Sequence, residues 1–263
     1  TDKALVSNGT IIVSTNATST ELGKLKIKYD TEEKRIISHS NKLITVFDDE
    51  IEDDFDMLRE ITFWQDEVDK IASIPVVTST EKLVRAYGKE SNMGNLFADA
   101  IAAFDKRIDI AVVNSGALRQ DIEAGVVTKG DLISAFPFPN TVVMTKLKGS
   151  QIKKIFNHAA GMTNGILQVS EDAKYLFTPK EKVHEIWIKG KPLNEDEDYW
   201  VAAPNFVTQG GDGYWEFKNS IEYIDSGVLI VDAAENFLRE KKTYEPKYEG
   251  RVKAIEQGAG DGI

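Results

Sequence analysis

The sequence predicts an α+β protein: a mixed-sheet domain preceded by a strand-rich remnant and a long linker helix. Three observations predict it. Beyond residue 76, short apolar runs typical of strands alternate with apolar residues at helical spacing. Residues 7–47 carry strand and turn signals with no helical pattern between them. Residues 48–71 read as one continuous helix. The chain has 263 residues, 41% hydrophobic and 29% charged, enough to bury a core in an ordinary soluble globular protein.

In the first segment Asn8-Gly9 signals a turn before Ile11-Ile12-Val13. Leu25, Ile27 and Tyr29 alternate with Lys24, Lys26 and Lys28, as on a half-exposed strand. Ile36-Ile37 and Leu43-Ile44-Thr45-Val46 suggest two more short strands. The helix over 48–71 opens with Asp48, Asp49, Glu50, Glu52, Asp53 and Asp54, where the helix dipole favours negative charge. Ile51, Phe55, Leu58 and Trp64 fall near one face, Trp64 being expected in interdomain or core packing, and Ser73-Ile74-Pro75 ends the helix. It reads as a linker between two packed bodies or as a surface helix of a single domain. Further on, a helix is expected over 93–104, buried strands over 108–113 and 141–147, and a helix from Ser150. Glu185–Lys189 and Tyr199–Ala203 suggest paired strands, and 228–238 a closing helix. The stretch Tyr244 to Tyr248 is expected as a terminal strand or docked loop, and the glycine-rich tail as flexible.

The formal net charge is −11, which argues against a general binder of nucleic acid polymers or anionic membranes. No apolar run approaches the ~20 residues needed to span a bilayer, so no membrane insertion is expected. No signal peptide is read in the N-terminal stretch. The chain has no cysteine, so disulfides and thiolate metal sites or nucleophiles are excluded. Its three histidines, His39, His158 and His184, form no HExxH or HxH pattern and are assigned no role. P-loop and dinucleotide fingerprints are missing. Asn16-Ala17-Thr18 fits a glycosylation acceptor.

Four segments carry chemistry. Val112-Val113-Asn114-Ser115-Gly116-Ala117-Leu118-Arg119 leads a buried strand into a small polar turn ending in an arginine, which can grip a carboxylate or phosphate; it is also a plain turn with a surface charge. Ala135-Phe136-Pro137-Phe138-Pro139-Asn140 is a stiff loop that either displays Phe138 as a flat platform or packs it inward. Asn205-Phe206-Val207-Thr208-Gln209-Gly210-Gly211-Asp212-Gly213 sets a carboxylate among glycines, suiting two adjacent hydroxyls or a simple hairpin turn. Arg85-Ala86-Tyr87-Gly88-Lys89-Glu90-Ser91-Asn92 precedes an amphipathic helix that Ser91 or Asn92 can cap and whose start is a natural anion site.

In the order ESNMGNLFADA, VNSGALRQDIEAG, FPFPNTVV, LKGSQIKK, GILQVS and NFVTQGGDGY, the chain resembles the C-terminal substrate-binding domain of the 5′-nucleotidase family. That family includes periplasmic UDP-sugar hydrolases and extracellular ecto-5′-nucleotidases. The resemblance runs collinearly over residues 72–255. NGTIIVSTNATSTELGKLKIKYD resembles the last strands of the family's metallophosphatase domain, but its DxH, GNH[DE] and GHxH metal motifs do not occur. The layout implied is a metallophosphatase end over 1–47, an interdomain helix over 48–71 that acts as a hinge, a nucleotide-binding domain over 72–255 and a tail over 256–263.

The resemblance further implies that Phe138 and Phe206 sandwich the nucleobase and that Asp212 bonds the ribose hydroxyls. Asn114, Gly116 and Arg119 then contact the base or the sugar-phosphate end. Ala117 stands where the family has glycine. A second family arginine corresponds to Arg85, which lies two residues further from Glu90 than usual, with Tyr87 at the usual place and Lys89 as an alternative. The function implied is the substrate-binding half of a metal-dependent phosphohydrolase acting on a nucleoside or nucleotide. Two divalent metal ions would sit in a preceding domain on which this chain packs, none being bound here, and the location would be extracellular, cell-surface or periplasmic. A non-catalytic nucleotide-binding or adhesion module is the alternative from another class, and cyclic nucleotides or UDP-sugars are alternative substrates.

Overall fold

The computed structural model describes residues 3–16, 19–47, 49–163 and 165–255. The proposed glycosylation motif and the glycine-rich tail therefore lie partly or wholly outside the described residues. The chain divides into two units, Thr1–Asp66 and Glu67–Ile263.

In the first unit, β1 (Leu5–Ser7) and β2 (Thr10–Ile12) form a hairpin. Its turn residues Asn8 and Gly9 both take positive φ, the conformation that matches strand twist in two-residue loops. β3 (Glu21–Asp30) and β4 (Arg35–Thr45) form a long antiparallel ribbon. The two short strands expected over 36–46 are thus one strand. Ser38, Ser40 and Lys42 interrupt the apolar pattern, but the ladder is made by backbone groups, which pair whatever the side chain. Ile27 and Tyr29 are both about half exposed, rather than covered on one face as the alternation suggests, because a two-stranded ribbon offers no second layer.

The helix α1 (Phe55–Ala72) starts seven residues later than the acidic run implies. Asp54 explains the start: its Oδ1 accepts the Met57 amide at 3.0 Å, so it caps the first turn. One carboxylate suffices for that, and the neighbouring acids repel one another if wound into helix. The helix ends before Pro75, as expected. No residue of α1 is buried. Trp64 is exposed and meets Phe63 edge-on at 5.3 Å, so it packs in no core of the described residues.

The second unit is built on a five-stranded mixed sheet. Its elements in chain order are β5 (Pro75–Ser79), α2 (Asn92–Ala102), β6 (Ile110–Asn114), β7 (Gly125–Thr128), α3 (Lys129–Ala135), β8 (Thr141–Lys148) and α4 (Gly149–Gly161). There follow β9 (Leu167–Val169), β10 (Ala173–Thr178), β11 (Lys182–Ile188), β12 (Lys191–Pro192), β13 (Asp198–Pro204), α5 (Asn205–Thr208), β14 (Glu222–Leu229), α6 (Ile230–Arg239), β15 (Thr243–Tyr244) and β16 (Val252–Ala254). The central sheet runs β14-β8-β13-β6-β9, with β13 and β6 parallel and the other pairs antiparallel. Two smaller sheets, β15-β5-β7 and β12-β11-β10-β16, complete the unit.

Side-chain alternation along the central strands creates two cores. Ala111, Val113, Val142, Met144 and Ala202 pack with α2, α6, β5 and β7. Ile110, Val112, Leu147, Val201 and Ala203 pack with α4, β10 and β11. A near-continuous apolar run in β6 is what a strand covered on both faces requires. The expected pairing of Glu185–Lys189 with Tyr199–Ala203 does not occur. β11 pairs β10 and β12, whereas β13, whose Val201, Ala202 and Ala203 are buried on both faces, inserts between β6 and β8. The Tyr244 segment docks as expected, through β15 beside β5.

A buried ion network ties the last strand to this unit. Arg251, 3% exposed, reaches both oxygens of Asp99 at 2.6 and 2.9 Å and the Val169 carbonyl at 3.0 Å. Glu90 accepts the amides of Glu249 and Arg251 and the Asn95 side chain.

Candidate functional site

Strand direction decides where the functional side chains meet. β6 and β13 run parallel, so their carboxyl ends share one edge of the central sheet. β8 is antiparallel to β13, so its amino end reaches the same edge, with Val142 opposite Pro204. The turn after β6, the loop before β8 and the segment after β13 therefore converge, at the kind of edge where sheet proteins bind ligands.

They enclose a cavity of about 350 Å³ lined by Tyr87, Asn114, Gly116, Ala117, Arg119, Phe138, Asn140, Phe206 and Asp212. Six of the seven sequence-predicted residues are here. Arg85 is not: its Nη1 donates to the Tyr87 hydroxyl at 3.0 Å, and its Nε lies 4.0 Å from Asp121. Tyr87 lines the cavity instead, and Lys89 does not. A groove of similar volume along β11, lined by Lys153, His184 and Trp187 among others, lacks this convergence of rings, carboxylate and guanidinium.

The FPF segment splits its two rings. Phe136 is fully buried beside Phe97, while Phe138 is 37% exposed and meets Phe136 edge-on at 6.2 Å. The flanking prolines restrict the backbone, and bends at Phe136 and Phe138 break the extended run, so the two rings, which extended chain would put on one side, have different surroundings. Phe206, on α5, is 43% exposed. The Arg119 guanidinium lies 5.2 Å from the Phe138 ring centroid, a cation–π contact, and forms no ion pair among the described residues. A cation left without a carboxylate partner beside a cavity suits an anionic ligand.

Asp212 takes left-handed dihedrals, φ 53° and ψ 18°. Asn114 Nδ2 donates to its Oδ2 at 3.0 Å, which leaves the other carboxylate oxygen for a ligand. Asn114 Oδ1 is buried and has no hydrogen-bond partner among the described residues, an acceptor awaiting a donor in a cavity wall. Burial pushes the neighbouring Tyr214 phenol up, and the Asp212 charge adds to the effect.

Gly211 closes tightly on Phe206: a Cβ there would stand 2.5 Å from two ring atoms and 2.6 Å from the Phe206 carbonyl. Gly211→Ala is therefore expected to displace the ring and lower the melting temperature by about 2–8 °C, the effect of an overpacking cost of about 1–2 kcal/mol. Thermal melts followed by circular dichroism check it; an unchanged melting temperature would show that the ring has slack.

The start of α2 is not an open anion site. Ser91 Oγ accepts the Gly94 amide at 2.9 Å, and the Ser91 amide goes to Gln168 Oε1 at 3.0 Å. Asn92 is spent on the Val84 amide and the Lys82 carbonyl. The segment is scaffolding: Gln168, fully buried, also donates to the Lys89 carbonyl and to Ser115 Oγ, locking the turn that follows Asn114. Sequence reasoning missed this role of Gln168, as well as Asn140 in the wall and His158 under the Asp212 loop. Each is a lone polar residue on an amphipathic or irregular stretch, with no local signal. Among the described residues no three His, Cys, Asp or Glu side chains stand together as candidate metal ligands.

An open cavity with exposed rings, a carboxylate and a guanidinium without an ion-pair partner among the described residues thus lies at the carboxyl edge of a mixed sheet. A family model described as 5′-nucleotidase, C-terminal domain, matches residues 70–219, and the chain belongs to that family. It is 28% identical over 281 aligned positions to the trifunctional nucleotide phosphoesterase protein YfkN of Bacillus subtilis, covering 97% of this chain and 19% of that protein. It is 28% identical to human 5′-nucleotidase, covering 92% of this chain and 47% of that protein. The chain thus spans half or less of the curated relatives it matches. The 5′-nucleotidase precursor of Thermus thermophilus shares the fold, with a TM-score of 0.77 at 22% identity over 97% of this chain and 54% of that one. A putative 5′-nucleotidase of Staphylococcus aureus gives 0.71 at 18% identity, covering 96% and 54%.

Proposed function

We propose that this chain is the substrate-binding half of a 5′-nucleotidase-type phosphohydrolase and that it clamps a nucleoside or nucleotide between Phe138 and Phe206. The observation that carries the reading is the meeting of these two half-exposed rings, distant in sequence, around one cavity that also holds the Asn114–Asp212 pair and Arg119. Two aromatic faces accept any base, since every base has a π-face. The free Asp212 oxygen suits the paired ribose hydroxyls, and the Arg119 guanidinium suits the phosphate end. Asn114 Oδ1 suits a hydroxyl or amino donor of the ligand. Tyr87, whose hydroxyl accepts from Arg85, keeps its own O–H as a donor toward the cavity.

Hydrolysis belongs to a preceding metallophosphatase domain holding two divalent metal ions, and this chain alone binds without turning over. The exposed apolar residues Phe55, Leu58, Ile61 and Trp64 of α1 support packing against that domain, and Ile27 and Ile44 of the β3–β4 ribbon suit a place within it. The family resemblance implies an extracellular, cell-surface or periplasmic setting.

Isothermal titration tests the reading. Adenosine and AMP are both expected to bind, and Arg119→Ala should weaken AMP by about tenfold more than adenosine, the effect of losing one charged hydrogen bond. A wild-type chain that gives no heat with either compound would overturn the proposal.

A further inference from the structure

We propose that His158 is a positioning residue that holds the Asp212 carboxylate in its ribose-binding attitude; this rests on the nucleoside-binding reading above. His158 lies near the end of α4, is solvent-exposed and does not line the cavity, so it reaches a ligand only through Asp212. Its Nε2 stands 2.8 Å from the Asp212 carbonyl oxygen. A carbonyl carries no proton, so Nε2 is the donor, whether the ring is neutral or charged.

The loop is built around this contact. The His158 ring stands edge-on to the buried Tyr214 at 4.8 Å, which orients the donor. A Cβ on Gly213 would sit 2.9 Å from both His158 Cε1 and Nε2, so only glycine lets the backbone close on the ring. Asp212 is the one residue between Gly210 and Tyr214 that pays for a left-handed φ, at 53°, since Gly210 and Gly213 reach 89° and 84° without a side chain to clash. An L-residue stays there when its surroundings over-determine it. Two anchors from different elements do so: Asn114, at the end of β6, holds the carboxylate, and His158, on α4, holds the carbonyl. Without the second anchor the peptide can rotate, Asp212 returns to an ordinary φ, and its carboxylate leaves the cavity.

The test compares wild type, His158→Ala and His158→Gln, whose amide nitrogen falls where Nε2 lies. Two readouts are taken: the ratio of adenosine to 2′,3′-dideoxyadenosine affinity by calorimetry, and the Asp212 Cα and Cβ chemical shifts in the unliganded chain. In His158→Ala the ratio should fall about tenfold, the loss of a hydrogen bond to a charged group, and the shifts should move to ordinary negative-φ values. His158→Gln should restore both. A His158→Ala chain, folded by its melting curve, that keeps the wild-type ratio and shifts would overturn the assignment of His158 alone. A wild type that binds no adenosine removes the nucleoside reading itself, and shifts that still respond to His158→Ala then confine the residue to holding the loop.

Discussion

Replacing Phe138 and Phe206 together by alanine is expected to reduce adenosine affinity about 100-fold or more. Stacking on one aromatic face contributes about 1–3 kcal/mol per base, and about 1.4 kcal/mol is a tenfold change. Fold stability should hold, because both rings are over a third exposed and neither belongs to a core cluster. Calorimetry beside a thermal melt separates the two effects. Phe206→Ala alone is the cleaner single variant, since Phe138 also touches Arg119 and Phe136. Heats indistinguishable from wild type in the double variant would leave the clamp without support.

The second large effect concerns stability. Arg251→Met is expected to lower the melting temperature by about 10 °C near neutral pH, because breaking a buried ion pair costs about 3–5 kcal/mol. The guanidinium is the bidentate partner of Asp99, and methionine fills the volume but leaves that carboxylate without its cation. The pH dependence identifies the cause. Burial pushes the Asp99 carboxyl up, while hydrogen bonding and charge from Arg251 pull it down. In the variant the pull is gone, so the folded-state value rises further above the unfolded one. Such a group stabilises the folded chain below the unfolded value, and that stability is lost as pH rises through the folded value. The difference from wild type should therefore narrow as pH falls and widen toward neutrality, in melts run from about pH 8 to about pH 4. A difference constant across that range would assign the loss to packing instead of charge.

The candidate site was more legible than the fold around it. Composition marked three short segments (prolines around a ring, glycines around an acid, a small turn ending in a cation) but left each a plain alternative, and it was the resemblance over six collinear segments that singled out Phe138, Phe206, Asp212, Asn114, Gly116 and Arg119. Arg85 corresponds to a family arginine by resemblance although it lies two residues further from Glu90 than usual, and the structure turns it onto Tyr87 and Asp121. Spacing along a loop does not set side-chain direction, because loop dihedrals answer to partners elsewhere. Gln168 and His158 carried no signal, since their importance lies in hydrogen bonds to residues over fifty positions away.

Local chemistry determined the element types, the stop of α1 before Pro75, a polar cap for α2 at Ser91 or Asn92 and which segments carry rings and charged groups outside the regular elements. Those depend on dihedral preference, periodicity and side-chain type, all written within a few residues. Tertiary structure alone decided that β13 inserts between β6 and β8, that Phe136 turns inward while Phe138 faces the cavity, and that Asn114 and Asp212 share a hydrogen bond. Strand order and burial are settled by which apolar faces exclude water together, a property of the whole assembled unit that no single segment encodes.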